Sequence, residues 1–166
     1  ILNMVSKLSE NGVAGFVLAN GALSGGGEEY KIRRKLIEND LVEAIVVLPQ
    51  DMFYTTNISV TLWILNKNKK ATSRNIGNEQ RHYRNREKEI LFMDLRQMGE
   101  PFEKKFTQFS EADIKLIAGT FHQWQVGATL AVAQNTVAQN EKGQKGQPQV
   151  IAPTIAQQFN IPEYCY

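Results

Sequence analysis

One cysteine, Cys165, stands in a chain of 166 residues, so an internal disulfide and any cysteine-based zinc cluster are excluded. The two histidines, His82 and His122, are isolated from other metal-ligand types, and no metal site is expected. No apolar run approaches the ~18 residues needed to cross a bilayer. No charged-then-apolar leader with a small-residue cleavage site opens the chain, so no membrane partner is expected and a cytoplasmic location is the default. Charge of one sign is also missing. Nineteen Lys and Arg against 17 Asp and Glu leave a net +2, too little to argue for nucleic acid by itself. Five prolines occur, and no two are adjacent. What remains is ordinary for a globular protein, with 42% hydrophobic and 22% charged residues, and one domain is the expectation.

The order of apolar stretches is informative. Leu2, Val5 and Leu8 at three-residue spacing read as the end of an amphipathic helix, stopped by Asn11-Gly12. Val13–Ala19 reads as a strand, and Glu28–Asp40 as a helix with apolar Tyr30, Ile32, Leu36 and Ile37. Leu41–Leu48, closed by Pro49, is an almost unbroken aliphatic and β-branched run that suits a strand covered on both faces. Ile58–Leu65 is a further strand with Trp63 as its large packing residue, and Glu89–Asp94 another. Ser110-Glu111-Ala112-Asp113 has the form of a capping box. Behind it, Ile114, Ile117, Phe121 and Trp124 fall on one helical face, as core residues do. Strands alternating with helices define an α/β fold.

The connections hold the candidate contacts. Gly25-Gly26-Gly27 precedes a helix, where free N–H groups could cradle a phosphate. Glu28 and Glu29 in the first turn repel an anion and no Lys-Ser/Thr pair follows, so a surface loop is expected. Arg33 and Arg34 lie on the helix, whose polar side is read mainly as a solvated face, with contact to a phosphate backbone as the functional alternative. Residues Ala71–Lys88 lack apolar periodicity and read as a long loop. It contains Arg74, Arg81, Arg84 and Arg86, with Tyr83 among them, a weak pattern for nucleic-acid contact. Gln50–Asn57, just beyond a strand's C-terminal end, carries Phe53, Tyr54 and Asn57 where open α/β sheets bind ligands; plain loop packing is the alternative. From 126 to 158 the composition turns to Ala, Gln, Asn, Gly and Lys, too poor in large apolar residues to order itself, and mobility is expected there, over Gln134–Gln149 above all.

Gly15-Phe16-Val17-Leu18-Ala19-Asn20-Gly21 resembles the strand and turn that follow the catalytic motif of adenine-specific DNA methyltransferases. More specifically, the chain is similar to the modification subunit of type I restriction–modification systems. Ile32–Glu38 with Leu41–Ala44, Leu48-Pro49, Phe53–Ile58, Leu65–Lys69, Ile90–Asp94 and the helix ending at Trp124 fall in that family's order and spacing. The likeness covers roughly Ile1–Gln125, returns at Asn160–Tyr166, and is interrupted by the 126–158 stretch, which reads as an insertion.

That resemblance implies an S-adenosylmethionine-dependent, Rossmann-like α/β sheet with flanking helices, lacking its N-terminal half. Residues 1–125 would be the C-terminal half of the methyltransferase domain, and 159–166 the start of a further segment. The family's chemistry needs a glycine-rich turn for S-adenosylmethionine and an Asn/Asp-Pro-Pro-aromatic turn for the adenine amine, and neither is present. No catalytic residue is therefore expected here, and the piece alone should be inactive. The target base must be flipped from the duplex, and Phe53 or Tyr54 would stack on it while Asn57 meets its edge. Double-stranded DNA and the specificity and restriction subunits are the implied partners. Val13–Ala19 would lack a neighbouring strand, and its bare edge should promote self-association. A non-catalytic module that binds DNA or docks a specificity subunit through Arg74–Lys88 and the C-terminal helix remains the competing reading.

Overall fold

The computed structural model describes residues 1–76, 78–127 and 149–155. Helix α1 (Leu2–Lys7) leads into β1 (Val13–Ala19), a 3₁₀ turn (Asn20–Leu23) and α2 (Gly27–Glu38). Strands β2 (Val42–Val47), β3 (Val60–Asn66), β4 (Thr72–Ile76), β5 (Glu79–Tyr83), β6 (Glu89–Asp94), β7 (Glu100–Phe102) and β8 (Phe106–Gln108) follow, then α3 (Glu111–Val126) and β9 (Gln149–Ile155).

Five strands make the main sheet in the order β1-β3-β2-β6-β9. β3 runs antiparallel to both β1 and β2, β6 lies parallel to β2, and β9 is antiparallel to β6. Consequently β1, β2 and β6 all point the same way and deliver their C-terminal ends to one end of the sheet. The aliphatic run anticipated for a doubly covered strand is β2, buried along nearly its whole length. One face packs Leu36 of α2 with Val42, Ile45, Trp63, Leu65 and Ile90, joined by Met4 and Val5 of α1. The other packs Trp124 of α3 with Ala44, Val46, Leu91, Met93, Leu95 and Met98.

α3 starts as expected. The Ser110 hydroxyl accepts from the Asp113 N–H while the Asp113 carboxylate accepts from the Ser110 N–H, and Gly127 ends the helix at φ 78°. Ile117, Phe121 and Trp124 face the sheet, but Ile114 is exposed, because the first turn of α3 projects past the core.

The basic stretch 71–88 is not a loop. Thr72–Ile76 and Glu79–Tyr83 pair as a two-stranded antiparallel ribbon. Gly77-Asn78 between them is a hairpin signal; the missing apolar alternation hid it. Within the 126–158 stretch expected to be mobile, Gln149–Ile155 form β9 on the sheet edge. The register shift between Ile90 and Phe92 falls opposite Ala152-Pro153, a place where a strand tolerates a residue without an N–H. Residues 128–148 and 156–166, which include most of the segment expected to be mobile and the 159–166 resemblance, lie outside the described residues.

A buried charge ties these parts together. Between Val42 and Ala44 the β2–β3 register slips, leaving Glu43 as an extra residue. Its side chain, 1% exposed, therefore turns to the α3 face. There Glu43 Oε1 accepts from Arg86 Nε at 2.9 Å and Gln125 Nε2 at 3.2 Å, and Oε2 accepts from Asn66 Nδ2 at 2.5 Å. Arg86 is 2% exposed and also donates to the Arg84 carbonyl. Arg84 in turn donates from Nε to the Trp124 carbonyl and forks onto the Glu89 carboxylate, so a cation closes the C-terminus of α3. Lys69 is buried as well, donating to Asp40 and to the carbonyls of Val42 and Glu89.

Removing one partner of a buried ion pair strands the other, so Arg86→Met should cost about 3–5 kcal/mol of stability. Combining it with Glu43→Gln should cost clearly less than the sum of the two single changes. Urea denaturation of the four proteins checks this. At the sheet's other margin, β1 has β3 on one side and no partner strand among the described residues on the other, with Val13 and Val17 exposed. No proline or charge interrupts it. We expect the 166-residue chain to self-associate through this edge and Val17→Lys to reduce the association, as sedimentation velocity over a concentration series would read.

Candidate functional site

Because β1, β2 and β6 end together, the residues just past each strand meet. Asn20 follows β1, Gln50 and Asp51 follow β2, and Arg96 and Gln97 follow β6. With Ser59, Met98, Gly99, Glu100, Pro101 and Thr107 they line an open cleft of about 610 Å³. Crevices beyond the carboxyl ends of parallel strands are where open α/β sheets bind ligands. The cleft is held from below. The Leu95 N–H donates to the Val47 carbonyl at 2.9 Å, and Leu95 and Met98 are both buried. The β7–β8 hairpin closes one side, its Thr107 N–H donating to the Asp51 carbonyl at 3.0 Å. Asp51 itself turns the chain at φ 59°.

The loop 50–57 stands at the rim. Phe53 and Thr56 bridge, with the Thr56 N–H donating to the Phe53 carbonyl at 3.2 Å, which places Tyr54-Thr55 at the tip of a tight turn. Phe53, Tyr54 and Asn57 are all exposed, Tyr54 by 73%. Phe53 is 39% exposed, so the two rings differ in how far they leave the loop. The Tyr54 ring meets Phe106 of β8 edge-on at 4.7 Å, next to cleft-lining Thr107. An exposed aromatic supported from behind is a surface on which a flat, apolar-faced group can stack.

Two polar residues in the cleft escaped the sequence reading. Asn20 Oδ1 is buried and has no hydrogen-bond partner among the described residues. Arg96 is gripped by Asp94, with Nη2 to Oδ2 at 2.6 Å and Nε to Oδ1 and Oδ2 at 3.0 and 3.1 Å. These bonds from Arg96 hold the Asp94 carboxyl below its ordinary pKa. Position was the available signal, since both residues lie one or two places past a strand end.

The arginines expected to touch DNA disperse. Arg33 spends its guanidinium on the carbonyls of Ala22 and Gly25, bracing the glycine loop. Arg84 and Arg86 serve the internal network described above, and a guanidinium buried on Glu43 cannot reach a ligand outside. Arg34 is exposed and paired with Glu38. Arg74 lies over the Tyr83 ring at 5.8 Å and faces Arg81 across the β4–β5 ladder. β3 carries the chain away from the cleft, so this ribbon sits at the opposite end of the sheet, about 20 Å from the Phe53–Asn57 loop. The aromatic and basic candidates do not form one surface. Among the described residues no cluster of His, Cys, Asp and Glu could hold a metal, and no helix is long and apolar enough to cross a membrane.

A mixed sheet flanked by helices, with a polar cleft at its parallel strand ends, defines an α/β protein of the kind that binds ligands beyond those strand ends. The chain belongs to the N-6 DNA methylase family, whose pattern matches residues 1–151. It is 38% identical over 124 residues to the methylase subunit of the type I restriction enzyme HindI of Haemophilus influenzae, covering 74% of this chain and 25% of that protein. It is 33% identical over 127 residues to the MjaIX methylase subunit of Methanocaldococcus jannaschii, covering 76% and 20%. The chain thus spans about a quarter or less of the length of these relatives. Among solved structures, the methyltransferase subunit of a type I restriction–modification system from Streptococcus thermophilus superposes with a TM-score of 0.56 at 26% identity, over 71% of this chain and 22% of that one. The EcoKI M protein shares the fold at a TM-score of 0.50 and 23% identity, over 69% and 22%. The sheet is therefore part of a Rossmann-like methyltransferase fold.

The lowered Asp94 pKa gives a pH signature. A carboxyl depressed in the folded state adds stability that is present above its unfolded pKa and is lost as pH falls through the folded value. The difference in melting temperature between wild type and Asp94→Asn should therefore be greatest near neutrality and vanish in acid. Thermal melts from pH 7 down to pH 2 provide the check.

Proposed function

We propose that this chain is part of the adenine-N6 DNA methyltransferase subunit of a type I restriction–modification system, where it supplies scaffold and one wall of the target-base pocket. The observation that carries this reading is the Tyr54 ring, exposed at the cleft rim and backed by Phe106. A base turned out of a duplex needs an aromatic face, and such stacking contributes about 1–3 kcal/mol per base. Phe53 would shield the second face, and Asn57, exposed on the same loop, can hydrogen-bond a base edge in either sense. Double-stranded DNA is the substrate in this reading, and the specificity and restriction subunits of the same system are its partners.

S-adenosylmethionine is the methyl donor that the family implies. The described residues do not fit it. The single glycine-rich turn among them, Gly25–Gly27, has the carbonyls of Ala22 and Gly25 tied to Arg33 and carries Glu28 and Glu29 in the following turn. We assign the cofactor to the remainder of the subunit and route no step through this chain. The competing function, a DNA-binding or docking module, finds its support in the β4–β5 ribbon. Arg74 and Arg81 stand directly opposite each other there, which sets two cations side by side on the ribbon. The ribbon lies away from the cleft, so both roles can coexist.

In the full-length subunit, Tyr54→Ala and Phe53→Ala should each reduce methylation of duplex DNA by roughly tenfold or more, in line with the loss of a stacking contact. S-adenosylmethionine affinity, measured by calorimetry, should stay within twofold of wild type. Wild-type methylation rates in both variants would remove the pocket role from this loop.

A further inference from the structure

We propose that Arg96 is a phosphodiester-binding residue of the cleft, holding the backbone next to the nucleotide whose base rests at the Tyr54 rim. The proposal rests on the base-pocket reading above and extends it to the sugar–phosphate. Arg96 is the one cation among the residues lining the cleft. Its position is fixed twice over. The backbone on either side is pinned by buried Leu95 and Met98. The Asp94 carboxylate accepts the Arg96 backbone N–H at 3.1 Å, which sets the turn, and then receives Nε and Nη2.

That grip uses one edge of the guanidinium. Nη1 makes no hydrogen bond with the described residues, and the side chain remains 59% exposed. A planar, always-charged donor group oriented by a carboxylate, with N–H groups left over, is suited to a phosphate oxygen. The cleft also carries the carboxylates of Asp51 and Glu100, so a phosphate would have to be met by the Nη1 edge that Asp94 does not hold. Asp94 is already neutralised by Arg96, and Glu100 accepts from Gln108 Nε2 at 3.1 Å. Asp51 also lines the cleft and lies toward the Thr107 side, where its carbonyl receives the Thr107 N–H. An oriented guanidinium on the cleft bordered by the 50–57 loop therefore offers a phosphate contact beside the proposed base site.

The test uses the full-length subunit in its complex with the partner subunits and a duplex carrying 2-aminopurine at the target adenine. Dissociation constants are measured by anisotropy over a salt series. Each phosphate contact contributes about 0.9 to the slope of log K against log salt on duplex DNA. Arg96→Gln should reduce the slope by about that amount and weaken binding roughly tenfold, with the 2-aminopurine signal at saturating DNA retained. Arg96→Lys, which keeps the charge, should restore most of the slope. Tyr54→Ala should behave in reverse, losing the 2-aminopurine signal at an unchanged slope. If Arg96→Gln leaves the slope at the wild-type value while Tyr54→Ala still loses its signal, the phosphate role is overturned and the base-pocket reading stands. If the wild-type complex neither methylates the duplex nor changes 2-aminopurine emission, the base-pocket reading falls and the Arg96 proposal with it.

Discussion

A carboxylate in the middle of a covered sheet must be matched or it cannot stay charged, and Glu43 imposes that condition on much of this fold. The bulge in β2 turns Glu43 toward α3, and three donors from three other places answer it: Arg86 past the ribbon, Asn66 at the end of β3, Gln125 at the end of α3. Each donor is then fixed by what it satisfies. The ribbon is rooted, the last turn of α3 is seated, and the antiparallel strand β3 is locked between β1 and β2. Arg84 and Lys69 extend the same logic by taking carbonyls and carboxylates at the same end of the sheet. Buried charges of this kind add little net stability compared with apolar packing, but they tolerate few alternative arrangements.

The opposite end of the sheet is built differently. There the backbone is pinned by buried Leu95 and Met98 and by hydrogen bonds from Leu95 to Val47 and from Thr107 to Asp51, while the side chains above stay exposed. Tyr54 and Asn57 are presented at the surface, and Arg96 is held by Asp94 through one edge of its guanidinium while its side chain stays exposed. One end of the sheet buries its polar groups, and the other leaves more of them exposed. That asymmetry is the strongest structural reason to place ligand chemistry at the cleft.

It also separates basic residues that look alike in the chain. Arginine in sequence carries no sign of whether its guanidinium will meet a phosphate or a buried glutamate. Arg86 and Arg33 look no different from Arg96 in the chain, yet Arg86 is buried on Glu43, Arg33 braces a loop, and only Arg96 lines the cleft. The ribbon escaped for a related reason. Its strands pair through backbone with few apolar side chains, so the alternation that marks a half-buried strand was missing.

By itself, the sequence determined the α/β class, the positions of β1, β2, β3, β6 and both main helices, and the aromatic-bearing loop after Pro49. These follow from local causes: continuous β-branched runs, a capping box, a proline stop and helical spacing. Ile114 marks where that reasoning ends, since helical periodicity names a face but not how far along it the core extends. Tertiary structure alone decided the strand order, the wedging of β3 between β1 and β2, the bulge at Glu43 and the meeting of Asn20, Asp51 and Arg96 in one cleft. Those depend on pairing between residues far apart in the chain, where the outcome is set by which buried charge finds which partner, and no local pattern encodes that choice.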